Sequence, residues 1–347
     1  MENSNVNRRS FIQSALLAGG GLMAPPDGNM LPGQDSPAKA GNGPRRAKIA
    51  TVSQMDIQPY VPGEKMISHI LEIMETAAPY QPDIISVPET FSTIGEGTQK
   101  PIEWRVETTG TAIEKFRKFA AAHSCYVVCP GHIKENGRFY NAAVLIDRGG
   151  NVIGNHKKAY PTQNEMSAGV SPGPVIPPVF ETDFAKIGFQ ICFDVLWEDG
   201  WRHLKDAGAE IVFWPSAYAG GRAINAKAAK YQYVVVSSTR KHTTKICDIS
   251  GEEIVKTGFW SPNLAIATVN LEKALLHTWP AVRKFSAIKS KYLDKIRITN
   301  FDEEEWSVIE CVSPELKIDE IMKEFELVSL YDYVAQCTRA QDEARGK

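Results

Sequence analysis

The sequence lacks the features that define several common classes of protein. In its 347 residues, no apolar run approaches the roughly 20 residues that a membrane-spanning helix requires, so we expect no integral membrane anchor. The formal net charge is −2, from 39 basic and 41 acidic side chains, which gives no electrostatic reason to expect a nucleic-acid partner. No GxGxxG motif follows the first predicted strand, which argues against a dinucleotide-dependent oxidoreductase.

Metal-binding patterns are also missing. The six cysteines form no CxxC pair and the seven histidines are scattered, so the sequence predicts no zinc site. Cys125 and Cys129 lie in CYVVCPG, a strand-like run. We expect both to be structural core residues, because a free cysteine packs as a small hydrophobic side chain.

The N-terminal segment is predicted to lie outside the folded domain. Residues 1–24 carry Arg8-Arg9 before a mildly apolar stretch, which resembles a twin-arginine export signal and predicts a periplasmic or extracellular protein. The alternative is a disordered tail with a chance arginine pair. Residues 25–46 have the Pro, Gly, Asp and Asn content of a disordered linker.

From residue 47 onward, strand-like and helix-like patterns alternate, and this alternation predicts an α/β domain with helices covering mixed sheets. Predicted strands are 47–53, 83–87, 125–131, 186–192, 210–215 and 234–238; predicted helices are 64–77, 111–123, 196–207 and 223–233. Residues 138–158 read as a hairpin turning at Gly149-Gly150. One catalytic domain is expected over 47–280, followed by a charged C-terminal extension, 281–347, that wraps this domain or a neighbouring subunit. Its basic stripe is either a solvated surface or an anion-binding site.

Three reactive side chains border strand-like runs. Glu89 follows DIISVP, Lys158 closes the second strand of the hairpin, and Cys192 ends KIGFQIC. An acid, an ammonium and a thiol together can cleave a carbon–nitrogen bond through a thioester. Each also has an ordinary interpretation: a loop carboxylate, a surface lysine and an inert buried thiol.

The expected roles follow from the chemistry of each group. A helix predicted after Cys192 favours its thiolate, and a desolvated Glu89 with a raised pKa can take the thiol proton. Lys158 and the backbone N–H of Phe193 can hold an oxyanion. Glu165 is a candidate to orient Lys158 or the hydrolytic water, or is a solvent-facing loop acid.

Three aromatic residues near Cys192 are candidates for the walls of a substrate pocket. They are Trp197, Trp214 and Tyr218. Core packing explains their positions equally well, because aromatic side chains dominate protein cores.

In combination, the segments SVPET, FYNAAVLIDRGGNVIGNHKKAYPTQNE and GFQICFDVLWEDGWRHLKDAGAEIVFWPSA resemble the glutamate, lysine and cysteine motifs of the nitrilase superfamily. The resemblance covers about residues 47–280. It implies a four-layer αββα sandwich that forms a homodimer or larger homo-oligomer and uses no cofactor. It also implies that Glu89 is the base, Lys158 the oxyanion stabiliser, Cys192 the nucleophile and Glu165 a second acid.

The motif around the cysteine bears on the substrate. Phe193-Asp194 stand where family nitrilases usually carry Trp-Glu, and the form Cys-aromatic-Asp is more similar to amidases and carbamoylases. The resemblance therefore implies hydrolysis of a small linear amide or N-carbamoyl compound. The alternatives are a nitrilase, a thioester-based acyl transferase and a non-catalytic scaffold relative.

Overall fold

The computed structural model describes residues 45–54, 61–260 and 263–346. Its elements in chain order are β1 (Arg46–Val52), α1 (Glu64–Ala77), β2 (Ile84–Ser86), α2 (Ile102–His123), β3 (Tyr126–Glu135), β4 (Arg138–Ile146), β5 (Val152–Lys157), α3 (Gln163–Ser167), β6 (Val179–Glu181), β7 (Lys186–Phe189), α4 (Asp199–Asp206), β8 (Ile211–Ser216), α5 (Arg222–Tyr231), β9 (Val234–Thr239), β10 (Lys245–Cys247), β11 (Glu253–Lys256), β12 (Leu264–Asn270), β13 (Lys273–His277), α6 (Thr278–Tyr292), β14 (Ile296–Phe301), β15 (Trp306–Cys311), α7 (Ile318–Glu324) and α8 (Leu330–Ala344).

Two six-stranded mixed sheets form the centre of the fold. The first has the strand order β12-β1-β2-β3-β4-β5, and the second has the order β11-β10-β9-β8-β7-β6. One buried cluster joins Ile49 and Val128 of the first sheet to Phe189 and Phe213 of the second, so the two sheets pack face to face. Two further clusters hold α1 and α2 against the first sheet and α4 and α5 against the second. The predicted four-layer αββα sandwich is confirmed.

Helix α1 shows how the sequence pattern gives a layer of this sandwich. Its buried residues, Met66, Ile67, Ile70, Ile73, Met74 and Ala77, recur at three- and four-residue spacing and form one apolar face. The predicted bounds, 64–77, are those of the structure. Burying each large aliphatic side chain contributes about 1.5–3 kcal/mol, which outweighs the weak helix preference of the isoleucines.

The prediction for α2 is wrong at its N-terminus. The helix begins at Ile102 after Pro101, nine residues before the predicted start at residue 111. Thr109 is buried inside the helix, and its hydroxyl donates to the carbonyl oxygen of Arg105. The polar and threonine-rich first turns of α2 hide its apolar face in the sequence.

The hairpin of β4 and β5 turns where the glycines predict. Gly150 has φ +79, a conformation that favours glycine, and a Cβ there would lie 2.5 Å from the Arg117 carbonyl oxygen. On the other side of β4, strand β3 carries Cys129, and Cys125 lies directly before it. Both are completely buried against the α1 and α2 layer, as predicted.

The folded chain begins slightly earlier than expected. Strand β1 starts at Arg46 and pairs with β12, and the Arg45 guanidinium forms ion pairs with Glu210 at 2.6 Å and Glu272 at 3.1 Å. The last two residues of the predicted linker therefore belong to the fold. The export signal and the remainder of that linker lie outside the described residues.

The C-terminal region is an ordered subdomain with its own core. Strands β13, β15 and β14 form a three-stranded antiparallel sheet, and Phe285, Ile288 and Ile309 share a cluster with α7. The subdomain starts at β13, before the predicted domain boundary at residue 280, and that boundary falls inside α6.

Over residues 45–54, 61–260 and 263–346, no helix has the length and apolar character needed to cross a membrane.

Candidate active site

The candidate reactive groups come from one end of the sandwich, where strands of both sheets terminate. Glu89 lies three residues beyond β2, and Lys158 directly follows β5, both in the first sheet. Cys192 lies three residues beyond β7 in the second sheet. An isolated bridge between Ser53 and Thr239 joins the two sheets at this end. The fold thus brings together residues that are far apart in sequence.

Lys158 is the centre of a buried polar network. Its Nζ donates to Glu89 Oε1 at 2.9 Å and to Glu165 Oε2 at 2.8 Å. The side-chain amide of Asn141, on β4, donates to the same two carboxylates at 2.8 Å each. Glu89, Lys158 and Asn141 are at most 3% exposed. The network leaves only two polar atoms of these three side chains, Glu89 Oε2 and Asn141 Oδ1, without a partner in it. The ammonium lies between two carboxylates, so the network can remain charged in a dry environment.

Glu165 is held by the first turn of α3. The Thr162 side chain accepts a hydrogen bond from the Glu165 backbone N–H, and Glu165 Oε2 accepts one from the Thr162 backbone N–H at 2.8 Å. This reciprocal capping box fixes the carboxylate toward Lys158. Of the two interpretations of Glu165, the structure supports an orienting group over a free loop acid.

The ionisation of Glu89 differs from the sequence prediction. Burial raises the pKa of the Glu89 carboxyl, but the charges of Lys158 and Arg240 and the hydrogen bond from Lys158 outweigh burial and lower it below its ordinary value. The pKa of Lys158 is lowered by burial and raised more strongly by Glu89 and the neighbouring groups, with a net increase. The predicted raised pKa of Glu89 is therefore wrong, because the nearby cations were not visible in its local sequence.

The state of Cys192 also differs from the prediction. Only a five-residue 3-10 turn, Cys192–Leu196, follows the cysteine, so no long helix dipole stabilises a thiolate there. Burial and the negative charge of Glu89 raise the pKa of the Cys192 thiol to about 12, although Lys158 opposes them. The resting site therefore combines a neutral thiol, a carboxylate and an ammonium.

The backbone at Cys192 adopts an unusual conformation that its neighbours hold in place. Its φ is +46, which is strained for a residue with a Cβ. The Trp214 indole N–H donates to the Cys192 carbonyl oxygen at 2.9 Å. The buried Asp194 carboxylate accepts from the backbone N–H groups of Ile191 at 2.9 Å and Tyr160 at 2.8 Å. These bonds fix the turn that aims the thiol.

The thiol and the carboxylate of Glu89 are in direct reach of each other. Glu89 Oε2 accepts no hydrogen bond from the rest of the network among the described residues, and the adjacent Cys192 thiol lowers the pKa of Glu89 as a nearby donor. Ser216 and the backbone of Ala217, at the end of β8, are the other polar groups at the sulfur. A proton can therefore pass from sulfur to Glu89 without a bridging group.

The three candidates for the pocket walls, and Phe193, whose backbone N–H is the other proposed contact with the substrate, occupy different positions. Trp214 is completely buried, so the prediction that it lines the pocket is corrected: it supports the Cys192 backbone. Tyr218 is half-buried beside the site, where burial, with smaller contributions from Cys192 and Glu89, raises its pKa to about 12. Phe193 and Trp197 are half-buried, with ring centroids 5.2 Å apart. Trp197 also stacks on Tyr160 at 4.2 Å.

His132 is a nearby residue that the sequence analysis missed. It lies opposite Asn141 in the β3–β4 register and is 5% exposed. Burial, with a contribution from Arg105, lowers the pKa of His132 to about 4, so the imidazole is neutral. His132 becomes a candidate only once the pairing of β3 with β4 places it opposite Asn141, and the sequence alone does not show that pairing.

No group of three or more His, Cys, Asp or Glu side chains arranged to hold a metal ion occurs in the described part of the chain.

The family of this fold and site can now be stated. The chain belongs to the carbon–nitrogen hydrolase family, whose model matches residues 49–275. It is a hydrolase of carbon–nitrogen bonds of the amidase type, as the motif resemblance implied. The match begins within β1 and ends within β13, so it covers the αββα sandwich apart from the first residues of β1, and β14, β15 and α6–α8 lie beyond it.

Individual relatives agree with this assignment. The chain is similar to the deaminated glutathione amidase of Synechocystis sp. (strain PCC 6803 / GT-S), with 27% identity across 65% of this chain and 92% of that protein. It is 32% identical to the β-ureidopropionase of Arabidopsis thaliana over 34% of this chain and 30% of that protein. The crystal structure of an amidase from Nesterenkonia sp. has the same fold, with a TM-score of 0.58 and 18% identity over 68% of this chain and 94% of that one.

Proposed function

We propose that this protein hydrolyses a small linear amide or N-carbamoyl compound through a thioester on Cys192. Glu89 is the base, Lys158 the oxyanion stabiliser and Glu165 the second acid. The observation that carries the proposal is that Glu89 lies between Lys158 and Cys192. Its Oε1 accepts a hydrogen bond from Lys158 Nζ, and its Oε2 is left for the Cys192 thiol. This arrangement links the three groups as acylation requires.

In the proposed reaction, Glu89 takes the Sγ proton as sulfur bonds to the carbonyl carbon. The carbonyl electron pair moves to oxygen, and the oxyanion accepts from Lys158 Nζ and the Phe193 N–H. Lys158 Nζ contacts Glu89 Oε1 and both oxygens of Glu165. When the two Glu165 oxygens share one N–H, a third N–H serves the oxyanion. The first backbone hydrogen bond of the turn runs from the Asp194 N–H to the Ile191 carbonyl oxygen. Phe193 comes one residue earlier, so its N–H is available to the oxyanion.

The tetrahedral intermediate then collapses, the carbon–nitrogen bond breaks, and the leaving nitrogen takes the proton from Glu89. Water attacks the thioester and gives one proton to Glu89. The carbon–sulfur bond breaks, the acid is released, and sulfur recovers the proton. Glu165 keeps the Lys158 ammonium in position through both steps. Every proton taken by Glu89 is returned, so the cycle needs no other reactant.

The printed descriptions of the relatives support this chemistry. Two are named as an amidase and a ureidopropionase, whose names denote action on amide and ureido groups. A mutant of the Nesterenkonia amidase shows covalent addition of the acetamide moiety of fluoroacetamide at its active site cysteine. We extend the cysteine chemistry to Cys192 because of the surrounding geometry in this chain.

Intact-protein mass spectrometry with a panel of amides, N-carbamoyl amino acids and nitriles tests the proposal. We expect an acyl-sized mass increase in the Glu89→Gln variant, because loss of the base slows release of the thioester. The increase should disappear in Cys192→Ala and persist in Cys337→Ala, whose cysteine lies on α8 far along the chain. Neither an adduct nor product from any amide or carbamoyl compound would reject the proposal, and turnover of nitriles alone would indicate a nitrilase.

We also propose that the protein forms a homodimer or larger homo-oligomer. The proposal is based on the family resemblance and on large apolar side chains exposed on the single chain, such as Leu196, which is 61% exposed next to the Cys192 turn. Light scattering after size-exclusion chromatography tests it. A monomer at micromolar concentration would contradict the proposal.

Export is a separate proposal. It is supported by Arg8-Arg9 and the mildly apolar residues after them. Fractionation of cells expressing the full chain, compared with an Arg8→Lys, Arg9→Lys double variant, tests it. The wild type should leave the cytoplasm and the double variant should remain there; equal retention would refute export by this route.

A further inference from the structure

Arg240 is a cation at the site that the mechanism above does not use. It directly follows β9, and its backbone N–H donates to the Ser216 carbonyl oxygen at 3.0 Å. Ser216 and Ala217 are the polar groups at the Cys192 sulfur. The β8–β9 register pairs Ser216 with Thr239, so Arg240 lies at the strand ends that also carry Ser216, next to the Cys192 sulfur.

The guanidinium of Arg240 differs from the other half-buried guanidinium groups. Among the described residues, the half-buried arginines are Arg105, Arg117, Arg148 and Arg240. The first three donate to protein acceptors: Arg105 to backbone carbonyls, Arg117 to the Gly150 carbonyl and Arg148 to Asp83. Arg240 makes no side-chain hydrogen bond or ion pair within the described ranges. The five donors of this half-buried guanidinium are therefore not used by the described part of the protein and can bind an anionic ligand.

The charge of Arg240 also acts on the site. Together with Lys158 it lowers the pKa of Glu89, so the guanidinium lies within electrostatic reach of the base. The inner network holds two carboxylates, Glu89 and Glu165, against one ammonium, a formal charge of −1. This charge would repel an anionic substrate. The positive charge of Arg240 offsets this negative charge on the side of the site that the second sheet forms.

We propose that Arg240 binds a carboxylate of the substrate, so that this hydrolase selects amides or N-carbamoyl compounds that carry a negative charge. The planar guanidinium matches a carboxylate with two parallel hydrogen bonds, and this match is strongest in a partly buried position. The inference rests on the proposed amide hydrolysis and adds its substrate class. Two substrate types share this chemistry: a dicarboxylic monoamide with the carboxylate in the acyl part, and an N-carbamoyl amino acid with it in the amine part.

Two matched pairs of substrates test the inference. Succinamate is compared with isocaproamide, and N-carbamoylglycine with isobutylurea; within each pair an isopropyl group replaces the carboxylate. For each pair, kcat/KM of the charged compound is divided by that of the neutral one. In Arg240→Gln this ratio should fall about 10- to 100-fold for at least one pair, because charge-assisted hydrogen bonds are lost. The affected pair identifies which part of the substrate carries the carboxylate.

Two further variants separate recognition from other roles. Arg240→Lys keeps the charge without the planar fork and should recover part of the ratio. Lys241→Gln, an exposed neighbour, should leave both ratios unchanged. If Arg240→Gln lowers kcat/KM equally for charged and neutral compounds, Arg240 only supports the charge of Glu89 and the inference is overturned. An unchanged ratio overturns it as well.

The proposed function has its own readout in this experiment. Wild-type turnover of either neutral compound, lost in Cys192→Ala, supports the amidase proposal whatever happens at Arg240. If the wild type turns over none of the four compounds, binding of succinate is compared in Cys192→Ala and in Cys192→Ala with Arg240→Gln. Calorimetric binding that weakens about 10-fold or more with Arg240→Gln keeps the carboxylate site, and equal or absent binding refutes it.

Discussion

The ammonium of Lys158 lies 2.9 Å from Glu89 Oε1, and both side chains are almost completely excluded from solvent. Attraction between two such charges offsets the cost of removing them from water only because Asn141 and Glu165 complete the hydrogen bonding. Each charge therefore depends on its partner. Five predictions follow from this arrangement and from the Cys192 turn.

Removing the ammonium should destabilise the protein. In Lys158→Met, Glu89 is left buried without its main counter-charge, and the free energy of unfolding should fall by about 3–5 kcal/mol. Urea unfolding at neutral pH measures this change. The matched control is Lys157→Met: Lys157 pairs with Glu135 at 2.6 Å, but Glu135 is 41% exposed, so a change within about 1 kcal/mol is expected. Equal losses in the two variants would contradict the prediction.

Glu89 and Lys158 also predict how stability depends on pH, with opposite signs in the wild type and in Lys158→Met. The folded-state pKa of Glu89 is lowered, so its contribution to stability is present above the unfolded pKa, about 4.5, and is lost as the pH falls through the lower folded value. In Lys158→Met, burial is no longer outweighed and should raise the pKa of Glu89. The destabilisation caused by the substitution should therefore shrink on going from neutral pH to about pH 5. Urea unfolding at both pH values measures it, and a destabilisation independent of pH would disprove it.

The Cys192 thiol should remain protonated well above neutral pH. Burial and Glu89 raise its pKa to about 12, so the difference in thiolate ultraviolet absorbance between wild type and Cys192→Ala should stay near zero up to about pH 9. The comparison of wild type with Cys337→Ala, which removes a partly exposed cysteine, serves as the control. A thiolate signal assigned to Cys192 at pH 7 would show that the resting site holds an ion pair instead.

Asn141 should act on the rate through the two carboxylates that it bridges. Replacing it with alanine removes two 2.8 Å hydrogen bonds, and kcat should fall about 10- to 100-fold with little change in KM. Steady-state kinetics on a neutral amide measures both constants. Asn155→Ala, on the neighbouring strand β5, is the control and should alter kcat less than threefold or so. An increase in KM with unchanged kcat would assign Asn141 to substrate binding instead.

Trp214 should affect the nucleophile through the backbone. Trp214→Phe keeps most of the buried ring but removes the N–H that donates to the Cys192 carbonyl, leaving a buried acceptor at a strained residue. A stability loss of about 1–3 kcal/mol and a lower kcat are expected. Thermal unfolding and steady-state kinetics measure the two effects. Normal stability and kcat would show that the turn holds its shape without this bond.

The sequence predicted positions better than it predicted environments. Glu89, Lys158 and Cys192 each border an apolar run, and this local pattern marked them as candidates. Only the three motifs in combination favoured catalytic roles over the ordinary interpretation of each residue. The pKa direction for Glu89 was wrong because it depends on Lys158 and Arg240, which reach it only after folding. The buried bond from Trp214 to the Cys192 carbonyl, and the pairing of His132 with Asn141, likewise depend on tertiary contacts that no local pattern encodes.

The origin of the site in two separate sheets has a mechanical consequence. Glu89 and Lys158 are carried by one sheet and Cys192 by the other, and the apolar layer between them is held by contacts such as Ile49, Val128, Phe189 and Phe213. Proton transfer requires hydrogen-bond distance, so a slip of one sheet over the other by about 1 Å would separate base from thiol while leaving every strand intact. Hydrostatic pressure or dilute denaturant should therefore abolish catalytic activity while the circular dichroism spectrum still shows intact secondary structure.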